Sequence, residues 1–389
     1  MLLKKKYYLS MACVISIFFT VQLMANQTTE EITAWTDNFI KETLTLEKAA
    51  GVSILVAKGD EIIFCKAYGH SDIENNVAAK INTVYEIGSL TKQFTSVAIM
   101  QLIEQGKLSL SDDITKYIPD FPSKGKNITL ANILYHTSGI KNYIQAGFAD
   151  SKMAPGKLVN NAEYRLDLRP EEMRKFFENE PLDFEPGTSW SYSNSGYFLA
   201  GLIIEKVSGM SYEDYIESKL FTTLSMTASS YTNFEDIVPN RAHGYKVKNG
   251  KLLNADLMDM SVPYSAGALS STLADLFKWN RTLHKTNVLL NKESYKTLIT
   301  PGKLNNGSLV PINYALGIAS PIRDGHKSIL HPGSISGFSS IASYFPEEDI
   351  TVIVLSNTSP NMSAGFADMV ELALSAFLYG SDKTKFSFM

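Results

Sequence analysis

Ser89 and Lys92 stand three residues apart in Glu86-Ile87-Gly88-Ser89-Leu90-Thr91-Lys92-Gln93-Phe94. The run that follows, with Val97, Ile99, Met100, Leu102 and Ile103 apolar and Gly106 at its end, reads as a helix. Residues at i and i+3 share a helix face, so the Lys92 amine can reach the Ser89 hydroxyl. A serine hydroxyl is a poor nucleophile until a base takes its proton, and a lysine shielded from water can be that base at neutral pH. The same four residues also fit an N-capping serine followed by a solvated lysine.

Two further groups could join that chemistry. Tyr192 and Asn194 lie in Phe184-Glu185-Pro186-Gly187-Thr188-Ser189-Trp190-Ser191-Tyr192-Ser193-Asn194. Pro186-Gly187 forces a turn, and Asn194 suits a helix cap as well as a site. A phenol beside a lysine ammonium is expected to have a lowered pKa and to exchange protons with Ser89 and a leaving group. The third group is His331-Pro332-Gly333-Ser334, ahead of Gly337-Phe338. Small residues on an edge strand let a substrate backbone lie alongside. The N–H of Ser334 could pair with that of Ser89 as an oxyanion hole, a feature contributing roughly 3 kcal/mol per donor. A histidine beside a plain Pro-Gly turn is the other reading.

The elements that must position these groups are strands at both ends and helices between. Thr29 to about Lys48 reads as an amphipathic helix with Ile32, Trp35, Phe39, Ile40 and Leu44 on one face. Residues 51–57 and 61–68 read as a hairpin across Lys58-Gly59-Asp60. Helices are expected at 195–207, 272–283 and about 364–378, and a strand pair at 339–345 and 350–356. This predicts an α+β fold: one antiparallel sheet built from the two ends of the chain and flanked by helices, with a mainly helical insertion. The sheet part is expected at about 30–88 and 270–389, the helical part at about 110–260.

Composition narrows the function classes. The chain has 389 residues and a formal charge of −4. Lys4-Lys5-Lys6, the apolar stretch from Tyr7 to about Ala25 and the polar residues after it describe a secretory signal peptide over 1–25. The product would be secreted or periplasmic, with an uncleaved membrane anchor as the alternative and no stable membrane insertion once the leader is cut. Removing three lysines takes the charge to −7, which speaks against nucleic acid as a partner. Cys65 alone would remain, so no internal disulfide forms. The six histidines are scattered without metal-site spacing, so no metal and no cofactor are expected.

In order, the chain carries Ser-x-x-Lys (Ser89, Lys92), Tyr-x-Asn (Tyr192, Asn194) and His-x-Gly (His331, Gly333). Around them stand Leu134-Tyr135-His136-Thr137-Ser138-Gly139-Ile140, Gly267-Ala268-Leu269-Ser270-Ser271-Thr272 and His331-Pro332-Gly333 followed by Gly337-Phe338. This joint pattern resembles the serine β-lactamase-related family over about residues 30–360. That family holds class C β-lactamases, low-molecular-weight penicillin-binding proteins, D-amino-acid-specific peptidases and similar esterases. The resemblance implies a site in the cleft between sheet and helical parts. It implies Ser89 as acylated nucleophile, Lys92 as its activator, Tyr192 as general base and acid, Asn194 as ligand to a substrate amide or carbonyl, and His331 and Gly333 lining the edge strand. True β-lactamases open the third motif with lysine. A histidine there is mostly neutral at pH 7, so the pattern resembles esterase-like and aminopeptidase-like members more. The expectation is an exported serine hydrolase acting on small esters, D-amino-acid amides or cell-wall peptides. A β-lactamase or D-Ala-D-Ala carboxypeptidase, and a non-catalytic penicillin-binding sensor, are the alternatives.

Overall fold

The computed structural model describes residues 28–145, 169–359 and 365–380; the leader expected at 1–25 lies outside them. The chain opens with α1, Thr29–Leu46, whose start is set by a reciprocal cap between Thr28 and Glu31. Strands β1 (Gly51–Lys58) and β2 (Glu61–Asp72) follow as the expected hairpin, then the short β3 (Val77–Ala78). Near the end come β4 (Ile329–Ile335), β5 (Phe338–Phe345) and β6 (Ile350–Ser356). These six form one sheet in the order β4-β5-β6-β1-β2-β3, every neighbour antiparallel. The seam joining the two ends of the chain is β1 against β6, with Ile54 opposite Val354.

Both faces of this seam are covered, which is why its strands are apolar throughout rather than alternating. Val52, Ile54 and Val56 of β1 and Val352 and Val354 of β6 point to one face, where they meet Ile32 and Ile40 of α1 and Phe366, Val370 and Leu374 of α5, Phe366–Leu378. Leu55, Ala57, Ile353 and Leu355 point to the other. There they join Phe94 and Val97 of α2 (Thr91–Glu104) and Leu276 and Trp279 of α4 (Leu273–Lys285). Each such side chain, fully withdrawn from water, contributes ~1.5–3 kcal/mol.

Helix α2 is central. Every residue from Thr91 to Met100 is buried, the polar Thr91, Lys92, Gln93, Thr95 and Ser96 included, so it is wrapped on all sides. Between sheet halves lie α3 (Asn194–Ser208), the short helices Leu130–Leu134, Pro170–Arg174 and Tyr212–Ile216, and much irregular backbone. One element there was not anticipated. Tyr245–Lys248 and Lys251–Asn254 form a hairpin, and Tyr245–Lys246 also pairs in parallel with Thr358–Ser359. Its turn is Asn249-Gly250, both at positive φ (53° and 68°), the conformation such hairpin turns require. Among the described residues no helix is long and apolar enough to cross a membrane.

Candidate active site

Ser89 does not lie within α2 but on the single 3-10 turn before it, Gly88–Leu90. That turn is held on three sides. The Ile87 N–H donates to Leu269 O at 2.9 Å, and the Ser340 hydroxyl donates to Ile87 O at 2.7 Å. On the third side β4 presses against it. A Cβ on Gly88, whose φ is +50°, would stand 2.9 Å from the Ser334 carbonyl carbon and 3.0 Å from Ser334 N. A Cβ on Gly333 would stand 2.0 Å from Ile87 O. Gly88 and Gly333 are therefore small because two backbones meet there. That meeting brings the Ser334 backbone beside Ser89.

Lys92 is completely buried. Its Nζ lies 3.1 Å from Ser89 Oγ, 2.8 Å from Asn194 Oδ1 and 2.8 Å from Ala266 O. Burial lowers its pKa well below the usual 10.5. A neutral amine has two N–H groups and one lone pair. Asn194 Oδ1 and Ala266 O can only accept, so they take the two N–H groups. The lone pair is left facing the Ser89 hydroxyl. Once protonated, the ammonium can donate to all three partners. The site thus holds the amine in place in both protonation states.

Tyr192 also reaches Ser89, and its ring lies 4.8 Å beneath Lys92 Nζ. Its phenol corrects the sequence-based expectation. Burial raises the pKa rather than a cation lowering it; the hydrogen bond with Ser89 works the other way but is the smaller effect. The same burial disfavours the Lys92 ammonium that would stabilise a phenolate. Tyr192 is therefore an O–H donor at neutral pH.

Asn194 begins α3 but does not cap it. The helix has no side-chain cap bond at all. Ser193 Oγ instead donates to Ile140 O (3.1 Å), and Ser195 Oγ donates to Lys141 O (2.8 Å) while accepting from Tyr143 N–H (2.9 Å). The polar residues expected to cap are spent on tying 140–143 to the site. Asn194 Oδ1 is used by Lys92, which leaves its amide N–H groups for a substrate carbonyl.

His331 lies on β4, the edge strand, but its ring is buried. Nδ1–H donates to Pro332 O at 2.6 Å, so Nε2 accepts from the Tyr314 hydroxyl at 3.0 Å. Burial, the largest cause, pushes its pKa down to about 3. His331 is a neutral wall of the site. His136 was not among the expected site residues, and it sits at the centre of the aromatic packing. Its ring is 4.3 Å from that of Tyr192 and 4.7 Å from that of Tyr314. Its Nδ1 accepts from the Ser193 N–H at 3.2 Å. Desolvation keeps it neutral as well. The signal for it was the His136-Thr137-Ser138-Gly139 stretch, whose pattern carried no spacing to Ser89.

Two cavities meet at Ser89 and Ser334. One, about 380 Å³, is walled by Tyr143, Ile144, Leu257, Met258, Val262 and Ile335, with Asn194 at its inner end. The other, about 290 Å³, is walled by Tyr192, Ile312, Tyr314, His331 and Gly333, and its one charged lining residue is Asp368. Ligand-type clusters exist elsewhere: Asp72, Glu74 and His243, and His326, Glu347 and Glu348. Their groups are already engaged, Asp72 by Asn75, Glu74 by Tyr245 and Glu348 by His326.

This geometry has relatives. The model of the family described as Beta-lactamase matches residues 36–376. Penicillin-binding protein 4* of Bacillus subtilis is 29% identical over 331 residues, covering 81% of this chain and 70% of that protein. Among solved structures, the octameric penicillin-binding protein homologue of Pyrococcus abyssi superposes with a TM-score of 0.76 at 29% identity, over 91% of this chain and 78% of its own. A D-stereospecific amidohydrolase from Streptomyces sp. gives 0.74 at 24% identity, over 88% and 97%, a likeness of fold.

Proposed function

We propose that this chain, which belongs to the Beta-lactamase family of serine hydrolases, hydrolyses small esters or D-amino-acid amides through an acyl-enzyme on Ser89. The observation that carries this reading is the buried Lys92 amine, held by Asn194 and Ala266 with its lone pair on the Ser89 hydroxyl. In the first step Ser89 Oγ attacks the substrate carbonyl carbon and its proton passes to Lys92 Nζ. The Ser89 and Ser334 N–H groups hold the oxyanion. The Lys92 proton returns through the Tyr192 hydroxyl to the departing oxygen or nitrogen. Water then attacks the acyl-enzyme by the same path reversed. Tyr192, the last donor, lines the smaller cavity. The leaving group therefore belongs in that cavity and the acyl group in the larger one, with its carbonyl side near Asn194.

Recognition of a carboxylate on the leaving group is disfavoured. The leaving-group cavity is lined by neutral His331 and by Asp368, with no cation among its described lining residues. A panel of p-nitrophenyl esters, D-amino-acid amides, D-Ala-D-Ala peptides and a chromogenic cephalosporin tests this. Short esters are expected to exceed the cephalosporin and the carboxylate-ended peptides at least tenfold in kcat/KM. Relatives named for penicillin binding support the other reading, a β-lactamase or carboxypeptidase. Cephalosporin turnover as fast as the best ester would establish that reading instead, and acylation without any turnover would make the protein a sensor.

We also propose export, on the basic and apolar residues 1–25. The mature protein is expected to begin close to Asn26 and to be recovered soluble outside the cytoplasm. N-terminal sequencing reads this directly; membrane-bound protein still beginning at Met1 would mean an anchor.

A further inference from the structure

Beyond the acyl cavity lies a third and larger space, about 530 Å³. It shares Asp256, Leu257, Met258 and Ser336 with the acyl cavity, so those residues form the partition between the two. Within it Ser336 Oγ donates to Asp256 O at 2.6 Å. Most of the far walls are apolar: Phe234, Met260 and Phe338.

The polar groups at the inner end are unusual. Glu86 lines it from the Tyr85–Glu86 strand, three residues before Ser89, so their Cα atoms are at most ~10 Å apart. Its carboxyl has no hydrogen-bond partner among the described residues. Burial pushes its pKa up to about 8, with Arg241 opposing. Arg241 lines the same space. Its guanidinium donates to the Asp236 backbone oxygen and pairs with no carboxylate among the described residues. The other charges nearby are settled: Asp256 pairs with Lys246, and His243 faces Asp72. The space therefore offers an apolar barrel, an unspent guanidinium and a carboxylic acid able to donate.

We propose that this cavity is a distal acyl subsite, and that the preferred substrates are esters or amides of an acyl chain of about six to eight carbons ending in a carboxylate, which Arg241 and Glu86 receive. The chain length is chosen to match that ~10 Å upper limit, at ~1.3 Å per methylene along an extended chain. Arg241 supplies charge-assisted donors in a fork, and Glu86 supplies a single O–H. This rests on the acyl-enzyme reading and adds the identity of the acyl group to it.

Three esters of one leaving group test it: p-nitrophenyl acetate, p-nitrophenyl octanoate and mono-p-nitrophenyl suberate. The suberate half-ester is expected to exceed octanoate at least tenfold in kcat/KM. Arg241→Met should abolish that difference while leaving acetate within about twofold, and Arg241→Lys should restore part of it. Equal rates on octanoate and suberate in the wild-type protein would overturn the proposal, whatever the variants do. If no ester is turned over, the hydrolase reading fails, and binding decides the subsite separately. Monomethyl suberate should bind the Ser89→Ala protein in calorimetry more tightly than methyl octanoate, and lose that margin in Ser89→Ala/Arg241→Met. No difference between the two ligands would sink the subsite as well.

Discussion

Ser89→Ala is expected to lower ester turnover by on the order of 10⁴-fold or more, the scale found when a serine nucleophile is deleted, and to abolish labelling by a fluorophosphonate. The fold should survive. The substitution removes one hydroxyl from a partly exposed turn, while Lys92 keeps Asn194 Oδ1 and Ala266 O at 2.8 Å each. The loss of the Ser89 bond costs about 1 kcal/mol. The turn itself is held by Ile87, through Leu269 and Ser340, and not by the serine side chain. Melting temperature and label are therefore expected to part company: near-native stability, no label. A rival exists in the same place. Ser334 is exposed and lines both cavities. But among the described residues no amine or imidazole hydrogen-bonds its hydroxyl, so none of them serves it as a base. Mass spectrometry that found the label on Ser334, or undiminished turnover by Ser89→Ala, would refute the assignment.

What the sequence made legible is what repeats locally. The β1–β2 hairpin and the β5–β6 pair announced themselves as apolar runs across polar turns. The joining of the chain's two ends into one sheet followed from where those runs stood. Three motifs in order were enough to name a nucleophile and its partners, and the structure brings Ser89, Lys92, Tyr192, Asn194, His331, Gly333 and Ser334 to one place. What failed depended on burial. A phenol near a lysine reads as acidified only if the lysine is charged. Complete enclosure of Lys92 reverses that, and no local pattern reports enclosure. His136 was missed for the same reason: its contacts to Tyr192 and Tyr314 bridge distant segments. Glu86 looked like an ordinary residue before the nucleophile. The hairpin at 245–254 was a plainer oversight, since Asn249-Gly250 between Val247 and Leu252 is a turn signal by residue type alone.

Lys92→Met and Tyr192→Phe are each expected to lower the acylation rate at least about a hundredfold, the usual scale for general acid–base work. The two act on one proton, which leaves Ser89 for Lys92 and departs through Tyr192. The double variant should therefore be little worse than the worse single one. Full additivity would mean separate proton paths. The pH profile carries the second half of this expectation. Only neutral Lys92 has a lone pair for Ser89. Activity should fall as pH drops through its folded-state pKa, which burial sets well below 10.5. Above that point it should stay level, because burial raises Tyr192 and its hydroxyl keeps its proton. Lys92→Met should lose the part of the acid limb that Lys92 causes. Stability is linked to the same group. Between the lowered folded pKa and 10.5, the unfolded chain binds a proton at Lys92 that the folded chain does not. Lys92 therefore makes folding more favourable as pH rises across that window. Denaturation at pH 7 and pH 10 should show the wild-type protein gaining stability relative to Lys92→Met. A rate limb centred near 10, with no such relative gain, would mean that the amine is solvated and charged, and the base would have to be sought elsewhere.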